Sequence, residues 1–144
     1  MKGRIHAISV SKRKGIPKSN IESAQLIYEH GIERDAHAGK WHRQVSLLAV
    51  ESIEKMRIIL PNLRAGAFAE NITTEGIDLG KLAVGDKIRV GNKAELEITQ
   101  LGKVCHDKCA IYFRVGDCVM PTEGIFARVI KSGSISINDN ITVL

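Results

Sequence analysis

The residues with the most distinctive chemistry are three cysteines in one short stretch, at Cys105, Cys109 and Cys118. Cys105 stands two residues after Lys103 and directly before His106. A thiol becomes a strong nucleophile and metal ligand only as the thiolate, and neighbouring cationic groups lower its pKa from the free value of about 8.5. This setting predicts a reactive thiol at Cys105.

A zinc site is the first alternative for these cysteines. Together with His106 they offer four ligands, which is the number that a structural zinc site uses. The spacing differs from that of a zinc knuckle, because three residues separate Cys105 from Cys109 and the chain has no second Cys pair. The spacing therefore fits a closed zinc site poorly.

Two further alternatives are a redox pair and a simple core role. A disulfide between Cys105 and Cys109 would act as a redox switch in a reducing compartment, where structural disulfides are rare. Cys118 precedes Val119 and Met120, and cysteine in apolar surroundings usually packs as a small hydrophobe. The residues alone leave these alternatives open beside a nucleophilic or sulfur-carrying Cys105 with Cys109 as a second thiol.

A second group of polar side chains lies between positions 33 and 44. It combines carboxylate, imidazole, guanidinium and amide groups at Arg34, Asp35, His37, His42, Arg43 and Gln44. Binding residues concentrate on loops, so the group predicts one wall of a polar pocket. Further along, Glu70 and Asn71 begin a β-prone run, where a polar pair either satisfies backbone groups or faces a ligand.

The elements that must position these residues are mostly short strands. Alternating or apolar runs predict strands at 3–10, 45–48 and 94–101. Helical spacing predicts a helix over 50–60 that stops at Pro61. The run 21–28 fits a short helix or a strand, and 121–130 receives no assignment.

Two segments, 84–90 and 137–143, share one pattern in which a Gly-Asp or Asn-Asp turn leads into an alternating strand. Gly91-Asn92 is a hairpin signal between the first of them and the strand at 94–101. Repeated short strands with tight turns predict a mainly β protein with a few short helices, built as a closed or nearly closed antiparallel barrel.

Size and composition predict a single domain over residues 1–144, with 44% hydrophobic residues to fill one core. No apolar run approaches the roughly 20 residues that span a bilayer, and the first residues lack the apolar region of a signal peptide. We therefore expect a cytoplasmic protein with no membrane partner.

The net charge of +5 suits an anionic partner. Aromatic residues make up only 4% of the chain, with one Trp, and base stacking needs more, so nucleic-acid binding is not expected. The basic segment 11–18 fits a solvated turn as well as a loop that faces phosphate.

Five segments in order resemble the MOSC domain, a family named for the C-terminal region of molybdenum cofactor sulfurases. They are Asp35-Ala-His-Ala-Gly39, His42-Arg-Gln-Val-Ser-Leu-Leu48, Gly66-Ala-Phe-Ala-Glu-Asn-Ile72, Leu82-Ala-Val-Gly-Asp86, and Leu96-Glu-Ile-Thr-Gln100 with Cys105 beyond. The resemblance covers nearly the whole chain and implies a β-barrel like that in pyruvate kinase.

The resemblance also implies a function in handling a molybdenum or tungsten pterin cofactor. The characteristic family cysteine falls on Cys105, which would carry sulfur as a persulfide, in the manner of a sulfurtransferase, or coordinate the metal. Lys103 and His106 would favour its thiolate. The expected anion-binding wall is His37, Arg43, Gln44 and Asn71, with Arg43 suited to a pterin phosphate.

The implied partners are a cysteine desulfurase, a pyridoxal phosphate enzyme, as sulfur donor and a molybdenum or tungsten enzyme or cofactor-synthesis protein as acceptor. Three positions depart from the family pattern. Many members have Gly where this chain has Arg34 and Ala69, and Pro where it has Val104.

Overall fold

The computed structural model describes residues 1–14, 16, 18–102 and 123–144. The strands in these ranges are β1 (Lys2–Val10), β2 (Ser19–Ile21), β3 (Ser23–Ile27), β4 (Gly31–Ile32), β5 (Val45–Ala49), β6 (Ile72–Glu75), β7 (Lys87–Val90), β8 (Ala94–Leu101), β9 (Ile125–Lys131), β10 (Gly133–Ser136) and β11 (Asn140–Val143). They are accompanied by the helix α1 (Val50–Met56) and a 3₁₀ turn at Leu79–Lys81.

Seven of these strands close into a barrel. The order around it is β1, β11, β7, β8, β9, β5 and β6, and β6 pairs again with β1. Neighbouring strands are antiparallel except for β5 and β6, which run parallel. β2 extends the sheet beside β1, and β10, β3 and β4 form a second small sheet. The mainly β barrel expected from the sequence is confirmed.

The strand predictions at 3–10, 45–48 and 94–101 are confirmed by β1, β5 and β8. The hairpin signal at Gly91-Asn92 is also confirmed, since Val90 pairs with Ala94 across the turn. The two segments of similar pattern become β7 and β11 and pair with each other, with Val90 opposite Ile141.

The run 21–28, which fitted a helix or a strand, and the unassigned segment 121–130 each contain a strand in the described residues. Residues 23–27 form β3, and 125–131 form β9, which is buried along most of its length between β8 and β5. A strand with both faces covered shows no alternation, so its sequence resembles that of a buried helix.

The predicted helix over 50–60 was too long, because α1 ends at Met56. Leu60 precedes Pro61, and a residue before proline disfavours the α conformation. Ile58 is 84% exposed and Ile59 is 59% exposed, so packing against the core does not support a further helical turn there.

The barrel interior holds the main hydrophobic core, which includes Ile5, Leu47, Ile88, Leu96 and Ile141. A smaller apolar cluster seats α1 against the outside of β5 and β9 through Ile53, Leu48 and Phe126. No helix in the described ranges is long and apolar enough to cross a membrane. The single domain over 1–144 stays a prediction.

Candidate functional site

A cavity of about 230 Å³ brings together side chains from the 36–44 loop, β5, the 66–71 loop and β9. It is lined by Lys14, His37, Trp41, Arg43, Ser46, Phe68, Ala69, Asn71 and Phe126. Three residues of the predicted anion-binding wall, His37, Arg43 and Asn71, therefore share one cavity. The fourth, Gln44, is not among its lining residues.

Asp35 is the centre of a buried polar network behind this cavity. Its Oδ1 accepts hydrogen bonds from Lys18 Nζ at 2.8 Å and from the Ser11 backbone N–H at 3.0 Å. Its Oδ2 accepts from Asn71 Nδ2 at 3.1 Å and from the His37 backbone N–H at 3.2 Å. Burial raises the pKa of the carboxyl, but the hydrogen bonds and the charge of Lys18 outweigh it, so the pKa of Asp35 lies below its usual value.

Lys18 is the least expected member of the network. The basic segment 11–18 was predicted to be either a solvated turn or a phosphate-facing loop, and for Lys18 both interpretations were wrong. Its side chain is only 1% exposed and forms an ion pair with Asp35. A buried ammonium requires such a partner, because its desolvation otherwise costs several kcal/mol, by the order-of-magnitude estimate for a buried ion.

The side-chain amide of Asn71 connects β1 and β5 to the loop that carries Asp35. Nδ2 donates to the backbone carbonyl of Ser9 in β1 and to Asp35, while Oδ1 accepts from the backbone N–H and the hydroxyl of Ser46 in β5. Both amide hydrogens are therefore committed within the protein. The alternative in which this residue satisfies backbone groups is what the structure shows, and its part in cofactor binding stays a prediction.

Glu70 has the other structural role that the sequence allowed. Its carboxylate accepts hydrogen bonds from the backbone N–H groups of Gly66 and Phe68 and from the hydroxyl of Thr73. Burial raises the pKa of Glu70, and these hydrogen bonds offset the rise only in part. The carboxylate thus holds the 66–70 turn closed against β6.

Arg43 contributes a positive charge to the cavity wall. Its Nε donates to Gln100 Oε1 at 3.0 Å, and His42 Nε2 lies 2.8 Å from the same oxygen. The guanidinium carbon lies 5.9 Å from the Trp41 ring centre and 5.3 Å from that of Phe126. Within the described ranges its two terminal nitrogens have no partner, so the planar donor fork remains available for an oxyanion.

Trp41 adds an aromatic face to the same wall. The ring is 39% exposed, and its Nε1 donates to the carbonyl of His37 at 2.8 Å. Lys14 Nζ lies 5.6 Å from the ring centre. The indole therefore lies within 6 Å of two cations, Lys14 and Arg43, and such cation–π contacts hold cationic side chains near a binding surface.

Gln44 is buried inside the barrel wall, with 1% exposure. Its Oε1 accepts from the Val129 backbone N–H at 2.9 Å, so it connects the residue before β5 to β9. Its Nε2 has no hydrogen-bond partner among the described residues. The proposed contact of Gln44 with a cofactor stays a prediction.

The thiol predicted to be catalytic, Cys105, lies outside the described residues, as do Lys103, His106, Cys109 and Cys118. In the part of the chain that the structure describes, no cluster of three or more His, Cys, Asp or Glu side chains could hold a metal ion. The zinc and redox alternatives therefore stay predictions.

Residues 34–142 match the MOSC domain family, which is most of the chain. The chain belongs to the MOSC domain family. This family is associated with functions related to molybdenum cofactor sulfurases, and the resemblance expected from the five sequence segments is confirmed.

Individual MOSC relatives agree with this assignment. The uncharacterized protein YflK of Bacillus subtilis is 27% identical over 141 residues, which cover 90% of this chain and 63% of the relative. The chain thus spans less than two thirds of that relative's length.

Solved structures show the same MOSC fold. The YUAD protein of Bacillus subtilis has a TM-score of 0.76 at 18% identity and covers 99% of this chain and 96% of its own. YiiM of Geobacillus stearothermophilus has a TM-score of 0.74 at 19% identity, covering 99% of this chain and 75% of its own.

Two departures from the MOSC sequence pattern occur at strained backbone positions. Arg34 has φ of 71° and Ala69 has φ of 65°. Positive φ favours glycine, which has no Cβ to clash. The chain therefore keeps a glycine-like backbone path before Asp35 and before Glu70 with residues that adopt it at a cost.

Sequence reasoning missed four contributors to the site: Trp41, Lys18, Gln100 and Phe126. The last three lie far along the chain from their partners, as Phe126 does from Arg43, so local periodicity carries no signal of these contacts. Trp41, the sole tryptophan of the chain, stands beside His42 and was the one missed residue whose type could have drawn attention.

Proposed function

We propose that this MOSC protein carries sulfur for a molybdenum or tungsten pterin system, with Cys105 as the carrier thiol. The observation that supports this most is the cationic cavity wall next to the strand that leads to Cys105. Gln100 in β8 contacts Arg43 through Oε1 and donates from Nε2 to the carbonyl of Gly102 at 2.9 Å.

Chain connectivity adds support. The backbone N–H of Gly102 donates to the carbonyl of Gly124 at 2.7 Å, so the described residues on either side of 103–122 meet at one point. Cys105 is three residues beyond Gly102, and three residues reach at most about 11 Å. A thiol tethered there is consistent with chemistry beside the Arg43 wall.

The chemical step is thiol–disulfide-type exchange and is redox neutral. The Cys105 thiolate attacks the terminal sulfur of a persulfide on a cysteine desulfurase, forms a new S–S bond and releases the donor thiolate. Lys103 and His106 would favour the attacking thiolate by charge. A nucleophilic group of the acceptor then attacks this terminal sulfur, the S–S bond breaks, and Cys105 leaves as a thiolate.

The cavity residues fit the anionic end of a pterin cofactor. Arg43 offers a planar donor fork backed by two aromatic rings, and Lys14 and His37 line the same space. These three residues would hold the phosphate, while the metal and pterin supply the redox chemistry when bound. At about 230 Å³ the described cavity has room for the phosphate end rather than for the whole cofactor.

Intact-mass measurement tests the carrier function. Incubation of the protein with a cysteine desulfurase, cysteine and pyridoxal phosphate should add the mass of one sulfur atom, and a reductant should remove it. Cys105→Ala should abolish the gain, while Cys109→Ala and Cys118→Ala serve as matched controls and should retain it. A gain that survives Cys105→Ala would reject Cys105 as the carrier.

A second function, holding the cofactor without sulfur transfer, is favoured by the same Arg43 fork. In this function Cys105 is a metal ligand and there is no turnover. It predicts that the purified protein retains molybdenum or tungsten in amounts that Cys105→Ser abolishes, with no sulfur gain in the mass experiment. Elemental analysis of both proteins separates the two functions.

A further inference from the structure

The buried ammonium of Lys18 has a third neighbour besides its ion-pair partner. Nζ lies 2.8 Å from Asp35 Oδ1, 3.4 Å from Ser11 Oγ and 3.0 Å from His37 Nδ1. An ammonium has three donor hydrogens and no acceptor. Its three polar neighbours therefore match its three donors, and the group facing it on His37 must accept.

We infer that Lys18 is a positioning residue that fixes His37 as the neutral tautomer with its proton on Nε2. If Nδ1 accepts from Lys18, it carries no hydrogen, and the remaining ring proton must sit on Nε2. A doubly protonated ring would direct an N–H at an ammonium 3.0 Å away, with like charges in a buried setting.

Asp35 holds this arrangement in place from two sides. It binds Lys18 through Oδ1 and the backbone N–H of His37 through Oδ2. The pKa of Asp35 is lowered, so its carboxylate is ionised at neutral pH and supplies the counter-charge that the buried ammonium needs. The main chain and the ring of His37 are thus both fixed to one buried ion pair.

As a consequence, Nε2 of His37 is a hydrogen-bond donor. His37 lines the cavity with Arg43, and the ring nitrogen opposite Lys18 is an N–H whichever atom it meets. A neutral N–H suits an oxyanion as a hydrogen-bond donor, and it is unable to take a proton from a thiol. This inference deepens the anion-binding part of the proposed function and assigns His37 no role as a general base.

Nitrogen NMR on ¹⁵N-histidine-labelled protein tests the tautomer directly. His37 is assigned by the loss of its signals in His37→Gln. At neutral pH we expect Nε2 with the chemical shift of a protonated nitrogen and Nδ1 with that of an unprotonated one. A proton on Nδ1, alone or together with Nε2, would overturn the inference.

The role of Lys18 needs a variant that removes the donor without leaving a buried charge. The double variant Lys18→Met/Asp35→Asn removes both the ammonium and the carboxylate charge, and a methionine side chain has no hydrogen-bond donor. We expect the ¹⁵N shifts of His37 to move away from the pure Nε2–H pattern. His42, which contacts Gln100 instead, is the internal control and should not change. Unchanged His37 shifts in the folded double variant would show that Lys18 does not set the tautomer.

The result does not depend on sulfur transfer. The same spectra should be obtained in a Cys105→Ala background. A negative result in the mass experiment would therefore leave the tautomer of His37 unaffected, and a different tautomer would leave the carrier function of Cys105 unaffected. If circular dichroism shows that the double variant does not fold, the wild-type spectrum decides, because a proton on Nδ1 there already excludes a hydrogen bond from Lys18.

Discussion

Two polar clusters flank the cavity and differ in how many of their hydrogen-bond donors have partners within the protein. The buried cluster consists of Lys18, Asp35, Ser46 and Asn71, and the side chains of Lys18 and Asp35 are at most 1% exposed. The rim cluster consists of His42, Arg43 and Gln100, and all three retain contact with solvent.

This difference separates side chains that stabilise the fold from side chains that are able to bind a ligand. In the buried cluster every donor of Lys18 and of the Asn71 amide has a partner in the protein. In the rim cluster Arg43 is fixed by Nε and two aromatic rings but keeps its terminal nitrogens available among the described residues. Changes to the buried cluster should therefore alter stability, and changes to the rim cluster should alter ligand binding.

The largest effect is expected from Lys18→Met. It leaves the Asp35 carboxylate buried without its counter-charge, and breaking one side of a buried ion pair costs about 3–5 kcal/mol. Urea denaturation should show this loss in the free energy of unfolding. The double variant Lys18→Met/Asp35→Asn should recover a large part of it, because no unpaired charge remains.

The matched control is the exposed pair of Lys55 and Glu123. The Lys55 side chain is 62% exposed, and surface ion pairs contribute at most about 1 kcal/mol. Equal losses for Lys18→Met and Lys55→Met would contradict the distinction between the buried cluster and the surface.

Asn71→Ala should have the next largest effect on stability. It removes the side-chain partners of the Ser9 carbonyl and the Ser46 N–H and one of the two donors to Asp35 Oδ2, and each unsatisfied buried group costs about 1–3 kcal/mol. We expect a total loss of about 3 kcal/mol, measured by urea denaturation. A stable variant that has lost only ligand binding would instead make Asn71 a binding residue.

Arg43→Gln should give the opposite result. We expect little change in the free energy of unfolding and a loss of about 1.5–3 kcal/mol in binding of inorganic phosphate, the usual contribution of a hydrogen bond to a charged group. Isothermal titration calorimetry measures the binding. Arg43→Lys keeps the charge but lacks the fork, so it should bind with intermediate affinity. Phosphate binding that is equal in all three proteins would remove Arg43 from the site.

The pH dependence of stability distinguishes the carboxyls. The pKa of Asp35 is lowered in the folded state, so its stabilisation is present at neutral pH and is lost as the pH falls below about 4, its usual value, through the lower folded pKa. The pKa of Glu70 is raised by burial, so its ionisation opposes folding, and acid relieves that effect.

Denaturation between pH 7 and pH 3 checks these signs. The loss of stability in acid should be shallower in Lys18→Met/Asp35→Asn than in the wild type. Glu75→Gln is the control, because the pKa of that exposed carboxyl is lowered by hydrogen bonds from Arg4 and His6 but solvent and salt screen the pair. An equal change in slope for both would mean that Asp35 is not a major source of the acid dependence.

The sequence predicted the parts of the molecule that local patterns encode. Alternation gave β1 and β8, the Gly91-Asn92 turn gave the hairpin, and the ordered motifs predicted both the barrel and the presence of His37 and Arg43 in one wall. β9 was not predicted, because a strand that is buried on both faces lacks the alternation of polar and apolar residues.

The buried cluster was not predictable in the same way. Lys18 and Asp35 are 17 positions apart, and Asn71 is 36 positions from Asp35. A lysine in a basic loop has the composition of a surface residue, and only the three-dimensional fold shows that this one is enclosed. The position of Lys18 in the core therefore depends on its long-range ion pair with Asp35, which the sequence of the basic segment 11–18 does not reveal.

The smallest expected effect concerns the strained turn beneath Asn71. Ala69→Gly should stabilise the protein by up to about 1 kcal/mol, because relief of the strain at φ of 65° exceeds the added entropy of the unfolded chain. Ala67 is a matched control in the same turn, since it is also exposed but has no positive φ. Ala67→Gly should lower the melting temperature where Ala69→Gly raises it. If both substitutions lower the melting temperature equally, the turn is not strained at position 69, and alanine in place of the family glycine does not destabilise the protein.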